Sequence, residues 1–207
     1  MIKRCVIITA LLDCDISSVY KKQEGDFIIC ADGGIDIAQQ GGITPDIVLG
    51  DLDSTKTKEI DLPFIKFPKE KDDTDTMLCL KHGLCIGYKD FAIIGGIGGR
   101  LDHTIANLQT LAYAKEHGAK AVMYSHNSTC LMLSGSEEIT LSKKDGFYLS
   151  LFSYSEKCEG ITISGTKYEL SKAELNSSFP LGVSNEFKDE TAHISVEKGK
   201  LLIIISR

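Results

Sequence analysis

Several features are missing from this sequence of 207 residues, and each absence excludes a class of protein. It has no Lys/Arg cluster, and a formal net charge of −6 with an isoelectric point near 5.4 argues against nucleic-acid binding, which usually needs a basic patch. It also lacks a run of roughly 18 continuous apolar residues, the length that spans a bilayer. The apolar residues 5–12 are followed by Asp13 and by no cleavage site of small residues, which indicates a first β-strand rather than a signal peptide. We therefore expect a soluble protein.

The cysteine pattern excludes two further classes. The seven cysteines are odd in number and dispersed, and none of them forms a C-x-x-C pair. This pattern disfavours both a disulfide framework and a structural zinc site. Because such thiols suit a reducing compartment, we expect a cytoplasmic protein.

Hydrophobic residues make up 43% of the chain, which is enough to form a core, and their arrangement changes near residue 125. Up to that point short β-branched runs alternate with helical patterns, which predicts an α/β domain over residues 1–125 with a mostly parallel sheet. From 126 to 207, short β-rich segments alternate with Gly, Lys and Asp turns, which predicts an all-β, sandwich-like domain. A polar link at 197–200 suggests a terminal hairpin.

The first domain should contain six strands and two helices, by the spacing of its apolar residues. The predicted strands are Cys5–Ala10, Phe27–Ala31, Ile47–Leu49, Phe64–Phe67, Phe91–Ile94 and Ala121–Tyr124, and the predicted helices are Thr74–Ile86 and Leu101–His117.

Acidic motifs follow the predicted strands at the positions where open α/β sheets place their ligands. In Ala31-Asp32-Gly33-Gly34 the glycines would let the backbone approach a ligand, although Asp32 could equally cap a helix. In Gly50-Asp51-Leu52-Asp53-Ser54, an extended backbone would turn Asp51 and Asp53 to the same side. Two carboxylates without a nearby cation repel each other, which favours Mg²⁺ between them over a solvated, helix-capping loop.

A third acidic stretch, Lys71-Asp72-Asp73-Thr74-Asp75, opens the first predicted helix. Acids and Thr in a first turn are ordinary capping chemistry, which favours a structural role when the stretch is taken alone. A helix N-terminus also attracts phosphate, so a phosphate ligand remains an open alternative.

A glycine-rich turn, Gly95-Gly96-Ile97-Gly98-Gly99-Arg100, joins a predicted strand to the second predicted helix. Its backbone N–H groups could face a phosphate, and Arg100 supplies a cation for charge-assisted hydrogen bonds. The turn matches neither the dinucleotide G-x-G-x-x-G pattern nor a Walker loop. Asp102 and His103, which follow, could also be ordinary residues of a helical first turn.

In this order and spacing, the motifs at 31–34, 50–54, 71–75 and 95–103 resemble those of the thiamine pyrophosphokinase family. The α/β-then-β layout fits the two-domain fold of that family along essentially the whole chain. The resemblance implies an ATP- and Mg²⁺-dependent enzyme that moves a pyrophosphate group from ATP onto the hydroxyl of thiamine and releases AMP.

The resemblance also assigns roles to individual residues. The Mg²⁺ ligands that it implies are Asp51, Asp53 and Asp75. The residues that it implies at ATP and its phosphates are Asp32, Gly33, Asp72, Thr74, Gly98, Gly99 and Arg100. The catalytic residues that it implies are Asp51, Asp53, Asp72, Asp75, Arg100 and Asp102, of which Asp72 or Asp102 would accept the hydroxyl proton.

The thiamine side of the site corresponds by resemblance to residues 182–187, at a homodimer interface. Ser184 and Asn185 would bind the vitamin there, although Ser-Asn is also a common turn dipeptide. Family members from eukaryotes commonly stack thiamine on Trp, and since this sequence has none, Phe or Tyr would take that place. A pyrophosphokinase for another hydroxymethyl heterocycle, such as a pterin, and a nucleotide or thiamine sensor without turnover are the alternatives. The intact carboxylates of all three acidic motifs count against the sensor.

Overall fold

A computed structural model of the chain describes residues 4–51, 55, 62–67 and 72–207. The chain divides into two compact units, residues 1–126 and 127–207. Of the helices in the described ranges, none combines the length and the hydropathy of a membrane-spanning segment. All seven cysteines are free thiols.

Among the residues that the structure describes, six parallel strands form the sheet of the first unit, in the order β6-β5-β1-β2-β3-β4. Each strand lies within about one residue of its predicted bounds, except that the first ends two residues earlier than predicted. The strands are β1 (Cys5–Ile8), β2 (Phe27–Ala31), β3 (Ile47–Gly50), β4 (Phe64–Lys66), β5 (Asp90–Ile94) and β6 (Lys120–Tyr124).

In the described residues, three α-helices connect these strands: α1 (Gly34–Gln40), α2 (Asp75–Cys85) and α3 (Leu101–Glu116). The second begins where the sequence predicts, because the Thr74 hydroxyl accepts a hydrogen bond from the Met77 amide at 3.3 Å. The first was not predicted. It packs so closely on β1 that a Cβ on Gly34 would lie 2.1 Å from the Ile8 carbonyl oxygen, so the helix can begin there only with glycine.

The core of the first unit is formed by apolar side chains of the central strands and α1. These side chains are almost fully excluded from water, and burying each large one contributes about 1.5–3 kcal/mol. The buried cluster includes Val6, Ile8, Ile28, Cys30, Ile35, Val48, Ala92 and Ile94.

An ion pair ties the N-terminal ends of β1 and β2 together. The Arg4 guanidinium donates to both Asp26 carboxylate oxygens, at 2.9 and 2.7 Å, and the Tyr20 hydroxyl and the Gln23 amide also donate to that carboxylate. Although burial raises the pKa of Asp26, the hydrogen bonds from Arg4, Gln23 and Tyr20 lower it more, and the pKa lies below its usual value. This carboxylate is therefore charged in the folded protein at neutral pH.

The second unit contains eight antiparallel strands in two layers, ordered β12-β9-β14-β7 and β11-β10-β13-β8. The layers pack face to face through contacts of β9 with β11, β10 with β14 and β7 with β13, as in a sandwich. The strands are β7 (Ser128–Ser134), β8 (Glu137–Ser142), β9 (Tyr148–Ser153), β10 (Lys157–Ser164), β11 (Leu170–Asn176), β12 (Gly182–Glu186), β13 (Thr191–Val196) and β14 (Lys200–Ser206).

One sequence prediction about the sheets is not confirmed, and another is wrong. The sheet that contains the parallel strands also contains antiparallel pairs and is mixed, so a mostly parallel sheet is not confirmed. The prediction of a terminal hairpin is wrong, because β13 and β14 belong to different layers. The apolar strand β14 pairs with β7 on one side and with β9 on the other. The link from Val196 to β14 therefore crosses from one layer to the other.

Replacing Asp26 by Asn should destabilise the protein in a pH-dependent way. At pH 7 we expect D26N to lower the free energy of unfolding by about 2 kcal/mol, since Arg4 loses its charged partner. Because the folded pKa of Asp26 is depressed, its contribution is present above the unfolded pKa of about 3.9 and is lost as the pH falls through the lower folded value. Urea unfolding at pH 7, 4 and 3 measures this.

The difference between wild type and D26N should therefore shrink below about pH 4. The exposed Asp189 provides a matched control, and D189N should leave the unfolding free energy within about 0.5 kcal/mol of wild type at each pH. A D26N difference that stays constant with pH would contradict the role of the ionised carboxylate.

Candidate active site

The C-terminal ends of the parallel strands lie at one edge of the sheet, and the predicted site residues follow several of them. Asp32 follows β2, Asp51 follows β3, and the glycine turn follows β5. Parallel strand ends with short connections form the crevice in which α/β sheets bind their ligands. The structure therefore brings two of the acidic motifs and the glycine turn to a common edge.

Asp32 is held tightly against the end of β3. Its amide donates to the Leu49 carbonyl at 2.7 Å, and the residue is only 5% exposed. A Cβ on Gly50 would lie 2.9 Å from the Cα, the Cβ and a carboxylate oxygen of Asp32, so a glycine is needed beside it. Asp32 has a φ of +46°, a left-handed conformation that Asp adopts at a modest cost. Gly33 follows as the N-cap of α1, without a side-chain cap.

The predicted metal ligands are only partly represented in the structure. Asp51 directly follows β3 and is half-buried, Asp75 is the first residue of α2, and Asp53 lies outside the described residues. Within the described ranges, no group of three or more His, Cys, Asp or Glu side chains could hold a metal ion. The chemistry of the donors still fits Mg²⁺, which prefers carboxylate oxygens and commonly uses one or two of them.

The third acidic motif divides into residues of different character. The Asp73 carboxylate accepts two hydrogen bonds from the Lys81 ammonium, at 2.8 and 2.7 Å, which fixes it on the surface of α2. Thr74 caps the helix, in agreement with the structural alternative for this stretch. Asp72 is exposed beside this helix N-terminus. Asp72, Thr74 and Asp75 remain the members of the motif that are proposed to bind ligands, and Thr74 also caps the helix.

The glycine turn after β5 uses several of its amides within the protein. The Gly95 amide donates to the Tyr124 carbonyl at 2.7 Å, the Gly96 amide to the Leu11 carbonyl at 2.8 Å, and the Gly98 amide to the Thr104 hydroxyl at 3.1 Å. In the described part of the chain, the amides of Ile97 and Gly99 have no such acceptor. For the Gly98 amide to bind a phosphate, as expected from the sequence, its hydrogen bond to Thr104 would have to break. The Gly99 amide could bind a phosphate without breaking a hydrogen bond.

Two side chains that the sequence analysis missed hold this turn in place. The Asn107 side-chain amide, in a residue only 6% exposed, donates to the Gly96 carbonyl at 2.8 Å, and a Cβ on Gly96 would lie 2.7 Å from its nitrogen. The Thr104 hydroxyl bonds to the backbone of Gly98. Both residues lie in α3, three positions apart on one helix face, which is the pattern that could have identified them.

Arg100 and Asp102 form an exposed ion pair where α3 begins. The Arg100 Nε donates to Asp102 Oδ1 at 3.2 Å, and a second guanidinium nitrogen donates to Oδ2. This hydrogen bond raises the pKa of Arg100 and, together with the His103 amide, lowers the pKa of Asp102 below its usual value. Asp102 is therefore a weaker proton acceptor than an ordinary aspartate, and Arg100 is poised at the helix N-terminus beside Gly99.

The two predicted thiamine-binding residues lie next to each other in β12 but differ in environment. Ser184 is exposed and adopts a φ of +59° in a β-bulge, where the pairing with β9 shifts between Gly182 and Asn185. Asn185 is only 8% exposed, and its side-chain amide bonds to protein groups. The predicted role of both residues stays a prediction.

Comparison with known proteins matches both units of the chain. A model of the thiamin pyrophosphokinase catalytic domain matches residues 20–123, and a model of the thiamin pyrophosphokinase vitamin B1 binding domain matches residues 136–201. The thiamine pyrophosphokinase of Bacillus subtilis (strain 168) is 29% identical over 184 residues, which cover 86% of each chain.

Solved structures show the same fold. The crystal structure of thiamine pyrophosphokinase from Bacillus subtilis aligns with a TM-score of 0.87 at 27% identity, over 99% of each chain. The thiamin pyrophosphokinase from Candida albicans aligns with a TM-score of 0.79 at 19% identity, over 99% of this chain and 88% of that one. Because the catalytic-domain match covers half of the chain and a second family model covers most of the remainder, the chain belongs to the thiamin pyrophosphokinase family.

Proposed function

We propose that this chain transfers the pyrophosphate group of ATP to the hydroxyl of thiamine, giving thiamine pyrophosphate and AMP. The observation that carries the proposal is that Asp32, Asp51 and the glycine turn follow β2, β3 and β5, whose C-terminal ends lie at one edge of the parallel sheet. All three lie within the range matched by the catalytic domain of the family. A pterin-specific enzyme and a non-catalytic sensor find no support in the comparisons, whose matches are thiamine pyrophosphokinases.

The proposed reaction is an in-line displacement at the β-phosphorus of ATP. The thiamine hydroxyl oxygen forms a bond to this phosphorus, the bond from it to the oxygen shared with the α-phosphate breaks, and AMP leaves with that oxygen. Such chemistry depends mainly on positioning and on charge stabilisation. Arg100 and the Gly99 amide are proposed to stabilise phosphate charge, where the N-terminus of the 16-residue α3 adds its own attraction for anions.

The remaining acidic residues are proposed to handle the cation, the nucleotide and the proton. Mg²⁺ would be held by Asp51, Asp53 and Asp75, where it would neutralise charge on the polyphosphate. Asp72 is the better candidate to accept the hydroxyl proton, since the ion pair with Arg100 lowers the pKa of Asp102. The residues proposed to line the nucleotide and its phosphates are Asp32, Gly33, Asp72, Thr74, Gly98, Gly99 and Arg100.

Thiamine binding is proposed for the β12 region of the second unit. The exposed aromatic side chains of this unit's described residues are Tyr148, Tyr168 and Phe179, at 49%, 64% and 62% exposure. Tyr168 is joined to Asn185 through both of its backbone polar groups. We assign Tyr168 as the aromatic residue on which the thiamine ring stacks. Ser184, which directly precedes Asn185, is proposed to bind thiamine as well.

A homodimer is proposed as the working form. β12 is the last strand of its sheet, and strand edges are usually covered in native proteins. Exposed apolar side chains precede and begin this strand, at Phe179, Leu181 and Val183. We place the enzyme in the cytoplasm, where its free thiols would remain reduced.

The nucleotide product distinguishes this reaction from that of an ordinary kinase. Incubation with thiamine and Mg²⁺-ATP should yield AMP and thiamine pyrophosphate in a one-to-one ratio, because attack occurs at the β-phosphorus. Chromatography of the nucleotides and thiamine esters measures both products. ADP with thiamine monophosphate would reject the mechanism, and AMP formation with a pterin but not with thiamine would reject the substrate.

Loss of the Arg100 side chain should slow the reaction more than it weakens ATP binding. We expect R100A to lower kcat by about 100-fold with a change of less than about threefold in KM for ATP, because Arg100 meets charge that develops in the transition state. R100K keeps the positive charge but cannot donate two hydrogen bonds to one anion as a guanidinium does, so its kcat should lie between those of R100A and wild type. Steady-state kinetics measures the split, and an effect confined to KM would show that Arg100 only holds ATP.

The metal assignment can be tested against a neighbouring acid. Asp51→Asn and Asp75→Asn should each weaken Mn²⁺ binding in the presence of ATP by at least about tenfold, or about 1.4 kcal/mol, because each removes a charged ligand. Asp73→Asn is the matched control, since Asp73 is engaged by Lys81. Electron paramagnetic resonance of Mn²⁺ measures binding without turnover, and equal effects of D73N and D51N would contradict the assignment.

A further inference from the structure

The side chain of Asn185 is saturated with hydrogen bonds inside the protein. Its Oδ1 accepts from the amides of Tyr168 and Glu186, at 3.0 and 2.9 Å. Its Nδ2 donates to the Tyr168 carbonyl at 2.6 Å and to the Thr166 hydroxyl at 3.2 Å. A primary amide has two donors and an oxygen with two lone pairs, so this set uses its full capacity. A direct hydrogen bond from Asn185 to a ligand would have to replace one of these.

The group that Asn185 holds most firmly is the backbone of Tyr168. It bonds to both the N–H and the C=O of this residue, the way a neighbouring strand would. The Thr166 hydroxyl also donates to the Tyr168 carbonyl, at 3.1 Å. The intervening Lys167 is tied to Glu186 by its amide, at 2.9 Å, and by its ammonium, at 2.8 Å. The segment 166–168 is thereby fixed to β12 along its whole length.

The ring of Tyr168 projects from this fixed backbone largely into solvent, with the Lys167 ammonium 5.6 Å from its centroid. Tyr168 is 64% exposed, although Asn185, whose amide orients its backbone, is only 8% exposed. A buried amide such as that of Asn185 needs hydrogen-bond partners. These hydrogen bonds would hold the segment 166–168 whatever side chain stood at position 168. A large aromatic face at this point has no role in the core, but a pre-oriented aromatic face lowers the entropy cost of binding a flat ring.

We infer that Asn185 is a positioning residue for thiamine, which acts through Tyr168 and does not contact the vitamin. This inference rests on the proposed function, since it takes thiamine as the ring that stacks on Tyr168. It replaces direct thiamine binding as the role of Asn185. The chemistry is suitable, because thiamine carries a cationic thiazolium ring that is attracted to an aromatic face.

A fluorescent side chain at position 168 reports the positioning directly. The sequence contains no Trp, so the indole introduced by Y168W is the only one in the protein. Fluorescence anisotropy at 168 should fall in Y168W/N185A relative to Y168W, since the backbone at 168 loses two hydrogen bonds. This measurement needs no substrate. Unchanged anisotropy would overturn the positioning role whether or not the protein acts on thiamine.

A double-mutant cycle tests whether Asn185 acts through Tyr168. We expect N185A to raise KM for thiamine by about tenfold with KM for ATP unchanged, and Y168A to raise it at least as much. In the Y168A background, N185A should add less than about twofold. If N185A weakens thiamine binding equally in both backgrounds, Asn185 contacts thiamine itself and the inference is wrong.

A matched control separates positioning from a general loss of stability. Val196 is buried in β13, in the layer opposite that of β12, and pairs with Glu137 of β8, so V196A removes core packing away from the 166–168 segment. At a temperature where both variants are folded by circular dichroism, V196A should leave KM for thiamine and the anisotropy of Y168W unchanged. Equal effects of V196A and N185A on both quantities would overturn the inference. Absence of thiamine turnover in wild type would instead reject the proposed function, and the anisotropy result would stand apart from it.

Discussion

The close approach of backbone segments at the strand ends is the constraint on which the candidate site depends. The Asp32 amide reaches the Leu49 carbonyl, and Gly50 leaves no room for a side chain beside Asp32. The same applies at Gly95, where a Cβ would lie 2.2 Å from the Leu11 carbonyl oxygen. Glycine is therefore required at these positions for packing as well as for turning. The acidic residues owe their common location to this packing.

The sequence was sufficient to predict elements whose packing follows a simple period. The strands of the first unit could be predicted because they are continuous apolar runs, and α2 because Thr74 caps it. In the second unit the patterns predicted five of the eight strands and missed β7, β11 and β12. Strands β11 and β12 each have a largely exposed face that carries few apolar residues. The seven-residue α1 begins with a glycine that only its contact with β1 explains.

Positions in the site were easier to predict than the contacts that they make. The motifs placed Asp32, Asp51 and the glycine turn at strand ends, because each directly follows an apolar run that predicts a strand. Two of these contacts join residues that are far apart in the sequence. Asn107 donates to the Gly96 carbonyl, 11 residues away, and the Asn185 side chain donates to the Tyr168 carbonyl, 17 residues away. Local patterns carry no information about such pairs.

The ion pair of Arg100 and Asp102 has a consequence for how the protein meets its charged substrate. The guanidinium is already compensated by a carboxylate two residues away, and both side chains are well exposed, at 74% and 63%. A phosphate that binds Arg100, as proposed above, would replace the Asp102 carboxylate as its partner, and the net electrostatic gain would be smaller than for an uncompensated arginine. Binding of this kind is an ion exchange at the protein surface, in which the displaced carboxylate returns to water. Its dependence on salt is accordingly shallow, because screening weakens the bond that is broken as well as the bond that is made.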